Sequence, residues 1–263
     1  MLLRINLLLI IISLLVSSCS EKPVVVRDDF KEIFTDNGFN GAFVLYNHNK
    51  NQWVYYNSGQ CKLRFPPAST FKILSALILL EENVVDGPDY EIKWDSTKYE
   101  IDEWNKNHTL KSAIENSVVW YFDKALKNVD SLTIANYLDS IDYGNHLIGK
   151  LNKPFWLYGD LKISPEEQIE FLRKFYNENL PFSAQNIKTV KNLILSEKTN
   201  EYSIYTKTGT CPKYKLGWYI GFIEKNNNVY YFATTINGKT SHKRFNFARL
   251  NITRRILSIL GIL

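Results

Sequence analysis

Hydrophobic residues recur along this chain in two rhythms. Residues 41–46 and 52–57 are rich in aromatic and β-branched side chains, with the polar run His48-Asn49-Lys50-Asn51 between them. That pattern predicts two strands joined as a hairpin. Residues 70–80 read Thr, Phe, Lys, Ile, Leu, Ser, Ala, Leu, Ile, Leu, Leu, which predicts a helix buried on nearly all sides. A single charge, Lys72, interrupts that run. From about 100 to 195 the pattern is mostly helical, and its best start signal is Ser164-Pro165-Glu166-Glu167. There a serine cap is followed by a proline in the first turn and a glutamate three residues on. Strands return at 203–208, 216–224 and 229–237, with a polar turn at 225–228. Residues 245–260 read as a closing helix with Phe247, Ile252, Ile256 and Ile259 towards one side. The order predicts an α+β fold: one antiparallel sheet built from both chain ends and flanked by helices, with a mostly helical middle region.

The first residues follow a different logic. Arg4 precedes an apolar run from Leu7 to Val16, broken only by Ser13, and the small residues Ser17 and Ser18 lead into Cys19. A positive start, a short apolar stretch and a small-residue exit describe an export signal. The run is too short to span a bilayer, which takes about twenty apolar residues. Val16-Ser17-Ser18-Cys19 also resembles the lipobox of bacterial lipoproteins, in which the cysteine is lipidated. The expected organisation is a lipoprotein-type signal peptide at 1–19 and a single catalytic domain at 20–263. The alternative is a plain cleaved signal with an incidental cysteine. The expected location is the periplasmic side, with attachment to a membrane through Cys19. Export implies an oxidising compartment, where Cys61 and Cys211 have the option of pairing; the sequence leaves this undecided.

Composition narrows the function classes. The 263 residues are 45% hydrophobic and 22% charged, an ordinary globular balance that excludes a disordered or multi-span membrane protein. The formal charge of +5 is scattered rather than gathered in a patch, so no nucleic-acid partner is expected. The cysteines have no zinc spacing, and His48, His108, His146 and His242 have no metal-ligand spacing. No metal is expected. Arg244, Arg254 and Arg255 read as a solvated helix face, with Arg249 apart from them.

The chemistry concentrates at Ser69 and Lys72, three residues apart on one helical face. A serine hydroxyl becomes a strong nucleophile when a neighbouring base takes its proton. A lysine serves as that base when burial depresses its pKa. Backbone N–H groups at the start of a helix suit the oxyanion that then develops.

Further short motifs follow in order: Ser117-Val118-Val119 at a helix boundary, Tyr143-Gly144-Asn145 in a loop, and Lys207-Thr208-Gly209 near the end of a strand. With Pro67-Ala68-Ser69-Thr70-Phe71-Lys72, this series resembles the class D, or oxacillinase-type, serine β-lactamases. The general serine β-lactamase signature runs S-x-x-K, S-D-N, K-T-G; the S-x-V form found here is the class D one. The resemblance extends through Phe155-Trp156-Leu157-Tyr158-Gly159, through Gly217-Trp218-Tyr219-Ile220-Gly221-Phe222, and to Arg249.

The resemblance implies the following roles. Ser69 is the nucleophile that opens the β-lactam ring. Lys72 carries a carbamate (N6-carboxylysine), formed from CO₂ or bicarbonate, that acts as general base; no other cofactor is implied. Trp156 donates its indole N–H to that carbamate, and Phe71, Val119 and Trp156 keep the pocket dry. Ser117 and Lys207 relay protons on the leaving-nitrogen side. Thr208 and Arg249 hold the substrate carboxylate, and Gly209 belongs to the same substrate-binding strand. The N–H groups of Ser69 and Thr210 form the oxyanion hole. Tyr158 and Asp160 depart from the family pattern, in which an acidic residue and a proline are usual. Cys211 reads as structural, and Glu166 has no catalytic role. The alternatives are a penicillin-sensing receptor domain, whose usual multi-span tether this chain lacks, and a penicillin-binding D,D-peptidase. Both acylate the serine without fast turnover.

Overall fold

The computed structural model describes residues 23–149, 153–238 and 242–263. Its strands are β1 (Val24–Val26), β2 (Asn40–Asn47), β3 (Gln52–Tyr56), β4 (Glu91–Ile92), β5 (His108–Thr109), β6 (Leu195–Lys198), β7 (Tyr202–Cys211), β8 (Leu216–Lys225) and β9 (Asn228–Asn237). Seven of them form one sheet in the order β1-β3-β2-β9-β8-β7-β6, while β4 and β5 make a separate two-stranded ribbon. β2 pairs antiparallel with β9, Val44 opposite Ala233, so both chain ends build one sheet as expected. The β8–β9 turn places Asn226 and Asn227 at φ 53° and 54°, the left-handed geometry that suits a two-residue hairpin and that asparagine tolerates well.

Two details correct the expectation. β1 runs parallel to β3, so the sheet is not wholly antiparallel. β6 is an extra short strand, paired with β7 only as far as Tyr205. Neither Val24–Val26 nor Leu195–Lys198 is long enough to show a period in the sequence.

The period-two alternation of the strands supplies two cores. Val44, Trp218, Ile220, Tyr231 and Ala233 point towards one face, where they join the helix Lys72–Glu81 and the helical middle region. Phe43, Leu45, Tyr219, Ile223 and Phe232 point to the other, against Phe30, Phe34 and the closing helix His242–Ile259. A sheet covered on both faces reads as a continuous apolar run, as 216–223 does.

The closing helix turns a different side to the sheet from the one the sequence suggested. Phe245, Ala248, Ile252 and Ile256 are buried, whereas Phe247 is 70% and Ile259 52% exposed. Phe247 lies about 200° round the helix from Phe245, and Ile259 is the last residue. In the middle region, Ser164 caps the helix Pro165–Tyr176 through a reciprocal bond pair with Glu167, as its sequence signature predicts. Cys61 and Cys211 are buried free thiols, so the disulfide option is not taken. Cys61 Sγ donates to the Phe43 and Tyr56 carbonyls, and Cys211 Sγ to that of Leu157. Cys19 and the rest of the expected signal lie outside the described residues.

Candidate active site

Ser69 sits in a single 3-10 turn, Ala68–Phe71, and the α-helix begins at Lys72. The helix therefore starts two residues later than the apolar run implies. The turn is fixed from several sides. Trp218 Nε1 donates to Pro66 O at 3.0 Å, and Thr70 Oγ1 donates to Pro67 O at 2.7 Å. Gln168, fully buried, donates to Thr70 Oγ1 at 2.8 Å. Ala68 is held at φ +52°, a region costly for a residue with a Cβ and common where the surroundings fix a functional turn. Gly209 of β7 passes against this turn, and a Cβ there would lie 3.1 Å from Pro67 O and 3.2 Å from Ser69 N. Only glycine lets strand and turn approach so closely.

Lys72 Nζ donates to Ser69 Oγ at 2.8 Å. The lysine is completely buried, with its ammonium 5.5 Å from the centre of the Phe122 ring. Burial, reinforced by the positive charge of Lys207, holds its pKa well below the ordinary lysine range. A neutral amine keeps a lone pair that can accept the serine proton. Trp156 forms part of the adjoining aromatic wall, stacked on Phe71 with ring centres 5.8 Å apart. Its indole Nε1 is buried without a hydrogen-bond partner among the described residues. An orphaned buried donor costs about 1–3 kcal/mol.

Ser117 and Lys207 meet as the motif order implies, with Lys207 Nζ donating to Ser117 Oγ at 2.5 Å. Ser117 stands at φ +53° in the turn between the helices Leu110–Glu115 and Val119–Leu126. The indole of Trp104 braces that turn by donating to Asn116 O at 3.0 Å. Lys207 is buried, and burial together with the charge of Arg249 pushes its pKa down to about 7.

Arg249 reaches β7 from the closing helix. Its Nη1 donates to Gly209 O at 2.6 Å and to Thr210 Oγ1 at 3.0 Å, and its Nη2 donates to Asn246 Oδ1. It thus contacts Gly209 and Thr210 rather than Thr208, whose half-buried side chain shares a strand face with that of Thr210. Burial lowers the guanidinium to about 10. Val119 is half-buried and packs against the core beside these elements.

One electrostatic fact unites the cleft. Among the described residues, the buried charged side chains are Lys72, Lys207 and Arg249, and no aspartate or glutamate is buried with them. A site with three buried bases and no buried acid is built to receive anions. No group of His, Cys, Asp and Glu among the described residues is arranged to hold a metal ion. Glu166 lies elsewhere, near Tyr55 and Cys61. Arg254 and Arg255 sit on the solvated face as expected, paired with Glu197 and Asp36.

Residues 31–258 match the penicillin binding protein transpeptidase domain family. The chain belongs to this family. It is 36% identical over 240 residues to the probable beta-lactamase YbxI of Bacillus subtilis (strain 168), covering 90% of this chain and 85% of that protein. It is 38% identical over 218 residues to the regulatory protein BlaR1 of Bacillus licheniformis, covering 82% of this chain but only 36% of BlaR1. The class D beta-lactamase structure from Sebaldella termitidis ATCC 33386 superposes with a TM-score of 0.86 at 36% identity, covering 92% of this chain and 100% of that one. The class D resemblance read from the motifs therefore holds, and so does the α+β fold it implied. Short motifs do not reveal Gln168, Trp104 or Asn246. Each bonds a motif residue or the residue just before one, from a distant or unremarkable stretch of sequence.

Proposed function

We propose that this chain is an exported class D β-lactamase that hydrolyses β-lactam amides through an acyl-enzyme on Ser69. The observation that carries this reading is the fully buried Lys72 amine 2.8 Å from Ser69 Oγ, its pKa held well below the ordinary lysine range by burial. Relatives named as β-lactamases support the substrate class.

In this reading Ser69 Oγ attacks the lactam carbonyl carbon as its proton passes to the base at Lys72. The N–H groups of Ser69 and Thr210 receive the developing oxyanion. The ring C–N bond then breaks, and the leaving nitrogen takes a proton from Ser117, which Lys207 replenishes across the 2.5 Å hydrogen bond. Arg249, with Thr208 and Thr210 on the adjoining strand, holds the substrate carboxylate. The proton taken from Ser69 passes on to replace the one Lys207 gave up, which frees the base at Lys72. That base then deprotonates a water that attacks the ester carbonyl, and returns the proton to Ser69 Oγ as the C–O bond breaks. The residues fit a carbamate on Lys72: burial lowers the pKa of the amine and so favours its reactive unprotonated form, the wall is aromatic, Trp156 Nε1 is an unused donor among the described residues, and Lys207 and Arg249 favour an anion. Once formed from CO₂, such a group supplies an anionic base at the same position. No other cofactor enters the reading.

Residues 20–263 act as one catalytic unit in this reading. The signal-like segment at 1–19 exports it, and a lipid on Cys19 tethers it to the membrane surface on the periplasmic side. No helix among the described residues is long and apolar enough to cross a membrane.

The similarity to BlaR1 favours a second reading, a sensor domain that is acylated and stays so. Product counting with nitrocefin separates the two. Many equivalents of opened ring per protein support the hydrolase; one equivalent followed by arrest supports the sensor.

A further inference from the structure

Arg249 is only 3% exposed, yet among the described residues the acceptors of its hydrogen bonds are neutral: Gly209 O, Thr210 Oγ1 and Asn246 Oδ1. Two of these belong to β7 itself. Asn246 is the exception: it lies one turn earlier on the closing helix, at the i, i+3 spacing from which an acidic side chain would form an ion pair with the arginine. An amide at that position aligns the guanidinium without cancelling its charge. The rest of the site points the same way, since the buried Lys207 adds positive charge and no buried carboxylate offsets it among the described residues.

We propose that Asn246 is a positioning residue that holds Arg249 in place while leaving its full charge available to the carboxylate of an incoming ligand. The inference rests on the β-lactam reading of the site and adds the residue that tunes its preference for acidic ligands. Asparagine and aspartate have nearly the same shape, so Asn246→Asp keeps an oxygen acceptor at the same place and changes only the charge. The aspartate would compete with the ligand carboxylate for Arg249. Charge-assisted hydrogen bonds are among the stronger ones, so sharing the guanidinium weakens capture of an acidic ligand by roughly tenfold or more.

The test is the second-order rate of Ser69 acylation by benzylpenicillin and by its methyl ester, followed by mass spectrometry of the whole protein. Acylation reports on the site whether or not the product is later released. Asn246→Asp is expected to lower the rate with benzylpenicillin about tenfold or more and leave the uncharged ester within a few-fold. Asn246→Ala, which frees Arg249 to move, is expected to lower the rate with the acid while its folding transition stays near wild type. In an Asn246→Asp protein whose folding transition matches the wild type, an acid-to-ester ratio equal to the wild type overturns the inference. Where Asn246→Asp misfolds and both rates fall together, Asn246→Ala decides, and a wild-type acid-to-ester ratio in that variant overturns the inference. Wild-type protein that neither compound acylates overturns the β-lactam reading itself, an outcome distinct from the previous one.

Discussion

The positive charge of Lys207 helps to keep Lys72 neutral. Both amines are buried in one cleft, and after desolvation Lys207 is the next cause lowering the pKa of Lys72. Arg249 in turn lowers Lys207. The three basic residues of the site thus form a chain from the closing helix to Ser69, and each biases the next towards its unprotonated form.

Trp156→Phe removes the unpartnered N–H and keeps the aromatic stack on Phe71. The variant is expected to fold normally, to be acylated, and to deacylate roughly 10–100-fold more slowly, the usual scale for losing a group that supports a general base. Acyl-enzyme accumulating in mass spectra during nitrocefin turnover, and receding as bicarbonate is raised, checks this.

Lys207→Met trades function for stability. The folded-state pKa of about 7 lies below the ordinary 10.5. Between those values the unfolded chain holds more protons than the folded one. The wild type therefore pays a penalty that is absent above about 10.5, grows as pH falls, and is complete below about 7. At pH 7 the methionine variant is expected to be more stable by about 1–4 kcal/mol, and the advantage shrinks as pH rises towards 10. Urea unfolding at both pH values measures it, and the same variant loses most of its acylation rate.

Gly209→Ala places a methyl group 3.1–3.2 Å from Pro67 O, Ser69 N and the Thr70 methyl. The strand and the turn must part by a few tenths of an ångström, which moves the nucleophile more than it weakens the fold. Acylation is expected to fall about tenfold, in keeping with the sensitivity of reacting groups to small misplacements, with the melting temperature lower by only a few degrees. A rate equal to the wild type shows that the close approach has no bearing on the site.

Much of this arrangement was legible in the sequence. The strands at 41–46, 52–57, 203–208, 216–224 and 229–237 were visible because aromatic and β-branched runs end at polar turns, and Lys72 was visible because nothing else in the run 70–80 is charged. β1 and β6 were not, because three or four residues carry no period. Phe247 misled because a large apolar residue on a helix suggests burial, and only the packing of Phe245 and Ile252 against the sheet fixes which side faces in. Gln168, Trp104 and Asn246 were hidden for another reason: each makes one hydrogen bond to a motif residue or to the residue just before one, and no local spacing reveals such a partner.

The most direct measurement is steady-state nitrocefin hydrolysis by the wild type and Lys72→Ala across a bicarbonate titration, with ¹³C-bicarbonate NMR on the same samples. Sustained wild-type turnover that rises with bicarbonate, a carbamyl resonance present in the wild type and absent in Lys72→Ala, and a loss of at least about a thousandfold in that variant are the results expected of a base at Lys72. Normal turnover by Lys72→Ala, at any bicarbonate concentration, contradicts it.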